Sequence, residues 1–200
     1  MSDSNSQKER MLVITFIPIA IAINVGIGAL VKAFGLPLYL DSIGTIFATL
    51  LLGWKRGAIV GVLGFVITSL VINPFAIYFI LTQVAIAVFV HIMAKRGWYK
   101  NLLRVIGLGL LLGVLAAIVS APVIVYVFQG ATGNGAALVT SFFAKLGNQI
   151  LESVLLSGIS IEPIDKTIQT VIVFIVLKYV PKILLEPFKS GSLKENNFID

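Results

Sequence analysis

The chain has no cysteine among its 200 residues. That excludes disulfides, thiolate metal sites and cysteine nucleophiles. Histidine occurs once, as His91, with no Asp, Glu or Cys at helical spacing from it. A metal centre needs several such ligands together, so none is expected. No Gly-x-Ser-x-Gly elbow accompanies that histidine, and no phosphate-binding loop ending in Gly-Lys-Ser/Thr is present. Catalysis and ATP hydrolysis are not expected of this chain, and no catalytic residue is assigned. Arginine forms no regular stripe of the voltage-sensing kind. Charge of either sign is scarce, at 12% of residues.

Hydrophobic residues instead make up 58% of the chain. A soluble domain of this size could not bury so much apolar surface. The apolar residues gather into runs at 11–31, 38–53, 57–72, 75–94, 105–128 and 164–180. About 20 mostly apolar residues suffice to cross a bilayer as a helix. The second run is short and begins beside a charge. The first is too long for the core of a cleavable signal peptide. The expected fold is an all-α integral membrane protein. It is a six-transmembrane-helix bundle with an extra amphipathic helix in the last outer loop. Residues 1–10 form a cytoplasmic N-terminal segment, 11–182 the membrane domain and 183–200 a cytoplasmic tail.

The net charge of +6 could suggest nucleic acid, but its placement points to topology. With six spans and both termini inside, twelve of the fifteen basic residues fall on the cytoplasmic side. They include Lys55, Arg56, Lys95, Arg96, Lys100 and Arg104. Only Lys32, Lys145 and Lys166 remain outside, in agreement with the positive-inside tendency. A nucleic-acid partner is not expected. The expected location is a cell membrane, crossed several times.

The segment 129–163 tests the count of spans. Gly130-Ala-Thr-Gly-Asn-Gly135 reads as a loop. Residues 136–157 then read as one amphipathic helix, with Phe142, Leu146, Ile150 and Val154 on its apolar face. A seventh span here would carry the lysine-rich tail outside, so the helix is placed on the outer side. A seventh span facing a polar interior remains the alternative.

Small residues recur four apart. Ala22 and Gly26 share one face of the first run, followed by Ala29 and Ala33. Gly57, Gly61 and Gly64 lie on the third run, and Gly109, Gly113, Ala116 and Ala117 on the fifth. Such spacing lets helix backbones approach closely. Internal packing is the expectation for the third and fifth runs.

Polar residues collect toward the outer side: Tyr39, Asp41, Asn73, Tyr78, Gln83, Asn134, Gln149 and Glu152, with Glu162, Asp165 and Lys166. Polar groups at membrane depth usually face a partner or a wet cavity. The first eight are the candidate ligand-binding residues. Asp41, Glu162 and Asp165 also stand at expected helix starts, where an acid suits the helix dipole.

The stretch Leu38-Tyr-Leu-Asp-Ser-Ile-Gly-Thr-Ile-Phe-Ala-Thr-Leu-Leu-Leu-Gly-Trp-Lys-Arg-Gly-Ala-Ile-Val-Gly61 carries a resemblance. Together with the size and expected topology, it resembles the substrate-binding S-component of an energy-coupling factor (ECF) vitamin transporter. The overall likeness is greatest to the cobalamin-type S-components of lactobacilli. The family docks on its transmembrane coupling subunit through an Ala-x-x-x-Ala motif in the first helix. Ala22-Ile-Asn-Val-Gly26 matches with glycine in second place, so Ala22 and Gly26 are the implied docking residues. The resemblance implies capture of a vitamin outside, toppling of the subunit in the bilayer, and ATP hydrolysis on two partner ATPases. Cobalamin is the implied ligand, with riboflavin, folate, pyridoxine and pantothenate as alternatives. No intrinsic cofactor is implied. A self-sufficient secondary transporter or channel using Asp41 or Glu152, and a membrane scaffold without ligand, are the competing classes.

Overall fold

Glycine and asparagine set the corners between long apolar helices. The computed structural model describes residues 2–133 and 135–179, where every regular element is a helix. Helix α1 is Ser2–Ala33 and runs unbroken from the polar start of the chain into the first apolar run. Helix α2 is Ile43–Leu52. Gly53, at φ 86°, turns the chain at once into α3, Trp54–Val71. A side chain is disfavoured at that positive φ, so glycine is the natural residue for the corner.

Asn73 makes the next corner. Its side chain accepts a hydrogen bond from Phe75 N at 3.2 Å, and Pro74 opens a 3-10 turn, Pro74–Phe79. A proline there forfeits only a backbone donor that the first turn would not have used. Helix α4 follows as Ile80–Lys95 and α5 as Leu102–Tyr126. The Asn101 side chain caps α5 by accepting from Arg104 N at 2.9 Å. Helices α6, Gly135–Lys145, and α7, Ile150–Tyr179, complete the described chain.

Among the described residues, four segments are long and apolar enough to cross a membrane: Val13–Ala33, Trp54–Val71, Pro74–Lys95 and Leu102–Tyr126. Their large side chains face outward freely; Leu70 and Leu103 are each 80% exposed. Such surfaces would be a liability in water, but hydrocarbon matches them. The protein is therefore all-α and membrane-embedded.

The short second run has an unexpected place. At about 1.5 Å per residue, the ten residues of α2 reach only about half of a bilayer core. Yet all of them except Phe47 are buried. Helices α1, α3, α4 and α7 pack around α2. Its Ile46, Leu50 and Leu51 share one core with Ile86 and Val90 of α4, Leu108 and Leu112 of α5, and Val173 and Leu177 of α7.

Small residues organise the longest contact. Gly109, Gly113 and Ala117 of α5 lie one turn apart and face Thr167, Pro163 and Gly158 of α7. A Cβ on Gly113 would strike the Pro163 backbone, and one on Gly109 would strike Thr167. Internal packing is thus what the fifth-run glycines do. Gly61 of α3 likewise admits the Gln83 side chain of α4.

One expectation needs correction. The single amphipathic helix expected over 136–157 is two pieces. Helix α6 stops at Lys145, and Gly147 takes a φ of 93°. Residues 150–157 belong to α7, which continues through Pro163. Side-chain periodicity did not reveal the break, because the apolar stripe continues at helical spacing across Gly147. Proline is tolerated inside membrane helices when neighbouring packing makes up for its lost hydrogen bond. Here α5 presses against it through Gly113. The tail 183–200 and the last residue of the sixth run, Val180, lie outside the described residues.

Candidate functional site

A cavity opens where the C-terminal ends of α1, α3 and α5 meet the start of α4. The basic residues Lys55, Arg56, Lys95, Arg96, Lys100 and Arg104 occupy the opposite ends of α3, α4 and α5. The cavity is open on one side, and the empty space across it and its solvent-filled mouth is about 1070 Å³. Lys32 stands exposed at the rim. Phe65, Phe79 and Phe128 supply flat apolar walls, with Phe79 and Phe128 stacked at 5.7 Å between ring centroids.

The floor comes from α7 and the segment just before α2. Glu162, Asp165, Lys166 and Gln169 recur at three- and four-residue steps, so one face of α7 is polar. Lys166 is buried, with its Nζ 2.7 Å from Asp165 Oδ2, 3.4 Å from Glu162 Oε2 and 3.5 Å from Asp41 Oδ1. Taking ions out of water costs several kcal/mol each, so a buried ammonium persists only with partners like these. Its Nζ also lies 5.7 Å from the centre of the Tyr39 ring.

Asp165 is the hub of this floor. Its Oδ1 accepts from the backbone N–H groups of Tyr39 and Leu40, each at 2.9 Å. Its Oδ2 accepts from Lys166 Nζ and from Gln169 Nε2, the latter at 2.6 Å. Leu40 holds a φ of 48°, a strained conformation for a branched residue. The Asp165 carboxylate pins that segment in place.

A second layer of side chains carries the network inward. Gln169 Oε1 accepts from Ser42 N at 2.9 Å. Gln83 Nε2 donates to Ser42 Oγ, and Thr45 Oγ1 donates to Gln83 Oε1, both at 2.8 Å. Asn24 Nδ2 donates to Thr45 Oγ1 at 2.9 Å, and Asn24 Oδ1 accepts from Gly44 N at 2.6 Å. Ser42 Oγ donates to Asp41 Oδ1 at 2.8 Å. Helices α1, α2, α4 and α7 are thereby joined below the cavity. Connected, satisfied networks of this kind fix one arrangement of the helices.

Of the eight binding candidates, the structure gathers four around the cavity: Tyr39, Asp41, Asn73 and Gln83. Asn73 also makes the turn cap already described. Tyr78 lies on the exposed side of the 3-10 turn, and its neighbour Phe79 takes the cavity wall. Gln149 and Glu152 are exposed at the start of α7, where Glu152 Oε2 accepts from Gln149 N at 3.2 Å. That is a helix-start contact away from the cavity. Asn134 lies outside the described residues.

Sequence reasoning grouped Glu162, Asp165 and Lys166 with the outer-side polar residues but left them out of the binding candidates. The two acids also looked like helix starts, yet all three residues are buried within a continuous helix. The usable signal was their spacing with Gln169, which marks a polar stripe rather than a cap. Asn24, Ser42, Thr45 and the aromatic walls carried no signal of their own. Among the described residues no cluster of His, Cys, Asp and Glu has the makings of a metal site. The cavity offers carboxylate and amide acceptors, one paired ammonium and flat rings, which suits recognition of a small molecule. Compared with known proteins, the chain matches no family model, no curated protein and no solved structure.

Proposed function

We propose that this protein captures a small water-soluble nutrient at the outer face of a bacterial membrane, as the substrate-binding subunit of an ECF-type vitamin importer. The observation that carries the proposal is a roomy polar and aromatic cavity at the helix ends opposite the basic turns. Placing the basic turns in the cytoplasm turns the cavity mouth outward. In this arrangement α7 is the last crossing, α2 is a half-depth helix closed in by its neighbours, and both termini are cytoplasmic.

On the resemblance, cobalamin comes first as ligand, with riboflavin, folate, pyridoxine and pantothenate behind it. A one-ring vitamin would occupy the floor alone, and a corrin would have to extend out through the open mouth. Transport would follow by toppling on a coupling subunit that carries two ATPases. The buried floor suits such a movement. Its buried ammonium, Lys166, is paired with Asp165, and an unpaired charge at mid-membrane costs about 2.5–3.5 kcal/mol on insertion scales.

The docking surface is the lipid-facing side of α1. Ala22 and Gly26 are exposed there, and a Cβ on Gly26 would meet nothing within 4 Å. Ala22→Leu and Gly26→Leu should each abolish uptake while leaving ligand affinity unchanged. Vitamin uptake in cells and calorimetry on the purified subunit separate the two effects. Normal uptake in both variants removes α1 as the docking face.

The decisive experiment joins two measurements. Growth rescue of vitamin-auxotrophic cells, one vitamin at a time, identifies the cargo. Affinity purification from the same cells should recover a coupling subunit and two ATPases. Rescue that persists when those partners are deleted would instead establish a self-sufficient transporter.

A further inference from the structure

Glu162 is the least satisfied group in the cavity. It is 94% buried by its 6% residual exposure, and its Oε2 has no hydrogen-bond partner. Its contact with Lys166 Nζ is an ion pair at 3.4 Å without hydrogen-bond geometry. A buried acceptor left unmade carries a large desolvation cost, more so when it is charged. The same residue lines the cavity, beside Asp41.

The balance of charge sharpens the point. Three carboxylates, Asp41, Glu162 and Asp165, surround one buried ammonium, Lys166. Asp165 is fully engaged by two backbone N–H groups, Gln169 and Lys166. Lys166 sits nearest to Asp165, so its charge is largely committed there. Both contacts of Asp41, with Lys166 and Ser42, use Oδ1, and its side chain is 25% exposed. Two carboxylates thus face the cavity with little positive charge to match them. Lys32 at the rim is exposed and screened by solvent. The walls are aromatic: Tyr39, Phe65, Phe79 and Phe128.

We infer that the ligand of this cavity carries a positively charged nitrogen on a flat apolar body, with the nitrogen placed between Asp41 and Glu162. The charge would complete the unmatched carboxylate pair and donate to Glu162 Oε2. The flat body would lie against the phenylalanine walls, where a cation also gains from the ring faces. Pre-built acceptors exclude a competing anion by leaving two like charges face to face. The inference rests on the capture proposal and reorders its candidates. Carboxylate vitamins such as pantothenate and folate fall away, and cobalamin is left with only neutral amide and hydroxyl donors to offer.

The test uses the full-length protein in nanodiscs and a matched pair of probes. Pyridoxamine replaces one hydroxyl of pyridoxine by an ammonium, so the pair isolates charge at nearly constant shape. Thiamine adds a second cation, pantothenate an anion and cyanocobalamin a bulky uncharged probe. Affinity is read by calorimetry. At least one cationic probe should bind, with pyridoxamine at least tenfold tighter than pyridoxine. Glu162→Gln and Asp41→Asn should each weaken the cation at least tenfold, with the ligand-free melting temperature as the folding control. Should a variant fail to fold, the wild-type comparison of pyridoxamine with pyridoxine decides by itself. Binding of pantothenate, pyridoxine or cyanocobalamin without any cation overturns the inference and leaves nutrient capture standing. Binding by none of the five probes overturns the inference, and growth rescue with riboflavin and folate then decides nutrient capture.

Discussion

Asp165→Asn should cost this protein most of its stability and all of its ligand binding. The carboxylate accepts four hydrogen bonds, two from the Tyr39 and Leu40 backbone and two from Lys166 and Gln169. An amide in the same place offers one acceptor oxygen and turns two N–H donors toward donors. It also removes the nearest counter-charge of Lys166, which then keeps only Glu162 and Asp41 at 3.4 and 3.5 Å. Breaking a buried ion pair from one side typically costs about 3–5 kcal/mol. The strained Leu40 segment would be released at the same time, and with it the Tyr39 and Asp41 side of the cavity. Thermal melting in detergent and calorimetry with the vitamin identified by growth rescue measure the two losses. The double variant Asp165→Asn with Lys166→Met should recover part of the stability but none of the binding, because it removes the stranded charge without rebuilding the floor. An Asp165→Asn protein that melts with the wild type would show that the hub does not hold the site.

Gly113→Leu is expected to prevent stable folding. The α5–α7 contact brings Gly113 against backbone atoms of Pro163 and Glu162, and backbone cannot rotate aside as a side chain can. Overpacking a core with flexible neighbours costs about 1–3 kcal/mol. Here two helices must separate along their length, so the loss should reach or pass the upper end. The separation would also move Glu162 and Lys166, one turn or less from the collision. Yield of monodisperse protein and the melting temperature report the outcome. Gly26→Leu supplies the internal control, since a side chain there meets open space. Equal melting temperatures for Gly113→Leu and Gly26→Leu would refute the packing role assigned to Gly113.

The contrast between these two glycines marks how far the sequence could be read. Both belong to small-residue patterns four apart, and both patterns have the same look on paper. One faces α7 and the other faces outward. Spacing states which residues share a helix face but says nothing of what that face meets. The polar residues show the same limit. Asp41 and Gln83 could be placed near a cavity because they lie at membrane depth, where an exposed polar group is costly. Glu152 and Gln149 met the same criterion, but they sit at an exposed helix start. Phe79 and Tyr78 differ by one position on a 3-10 turn, and only the turn's orientation selects the wall residue.

What the sequence determined by itself is the material and the corners. Long apolar runs have one backbone solution in hydrocarbon, because every N–H and C=O must be satisfied within the segment. Gly53 and Asn73 punctuate those helices through chemistry that is local. The site itself was decided by tertiary structure. The α7 carboxylate that anchors it meets backbone 126 residues away, at Tyr39. That meeting depends on the rotation and register of α7 against α5, which the close approach at Gly113 sets. It depends also on α2 being drawn into the centre rather than left to cross on its own. Both are outcomes of packing between distant segments, and no local spacing encodes them.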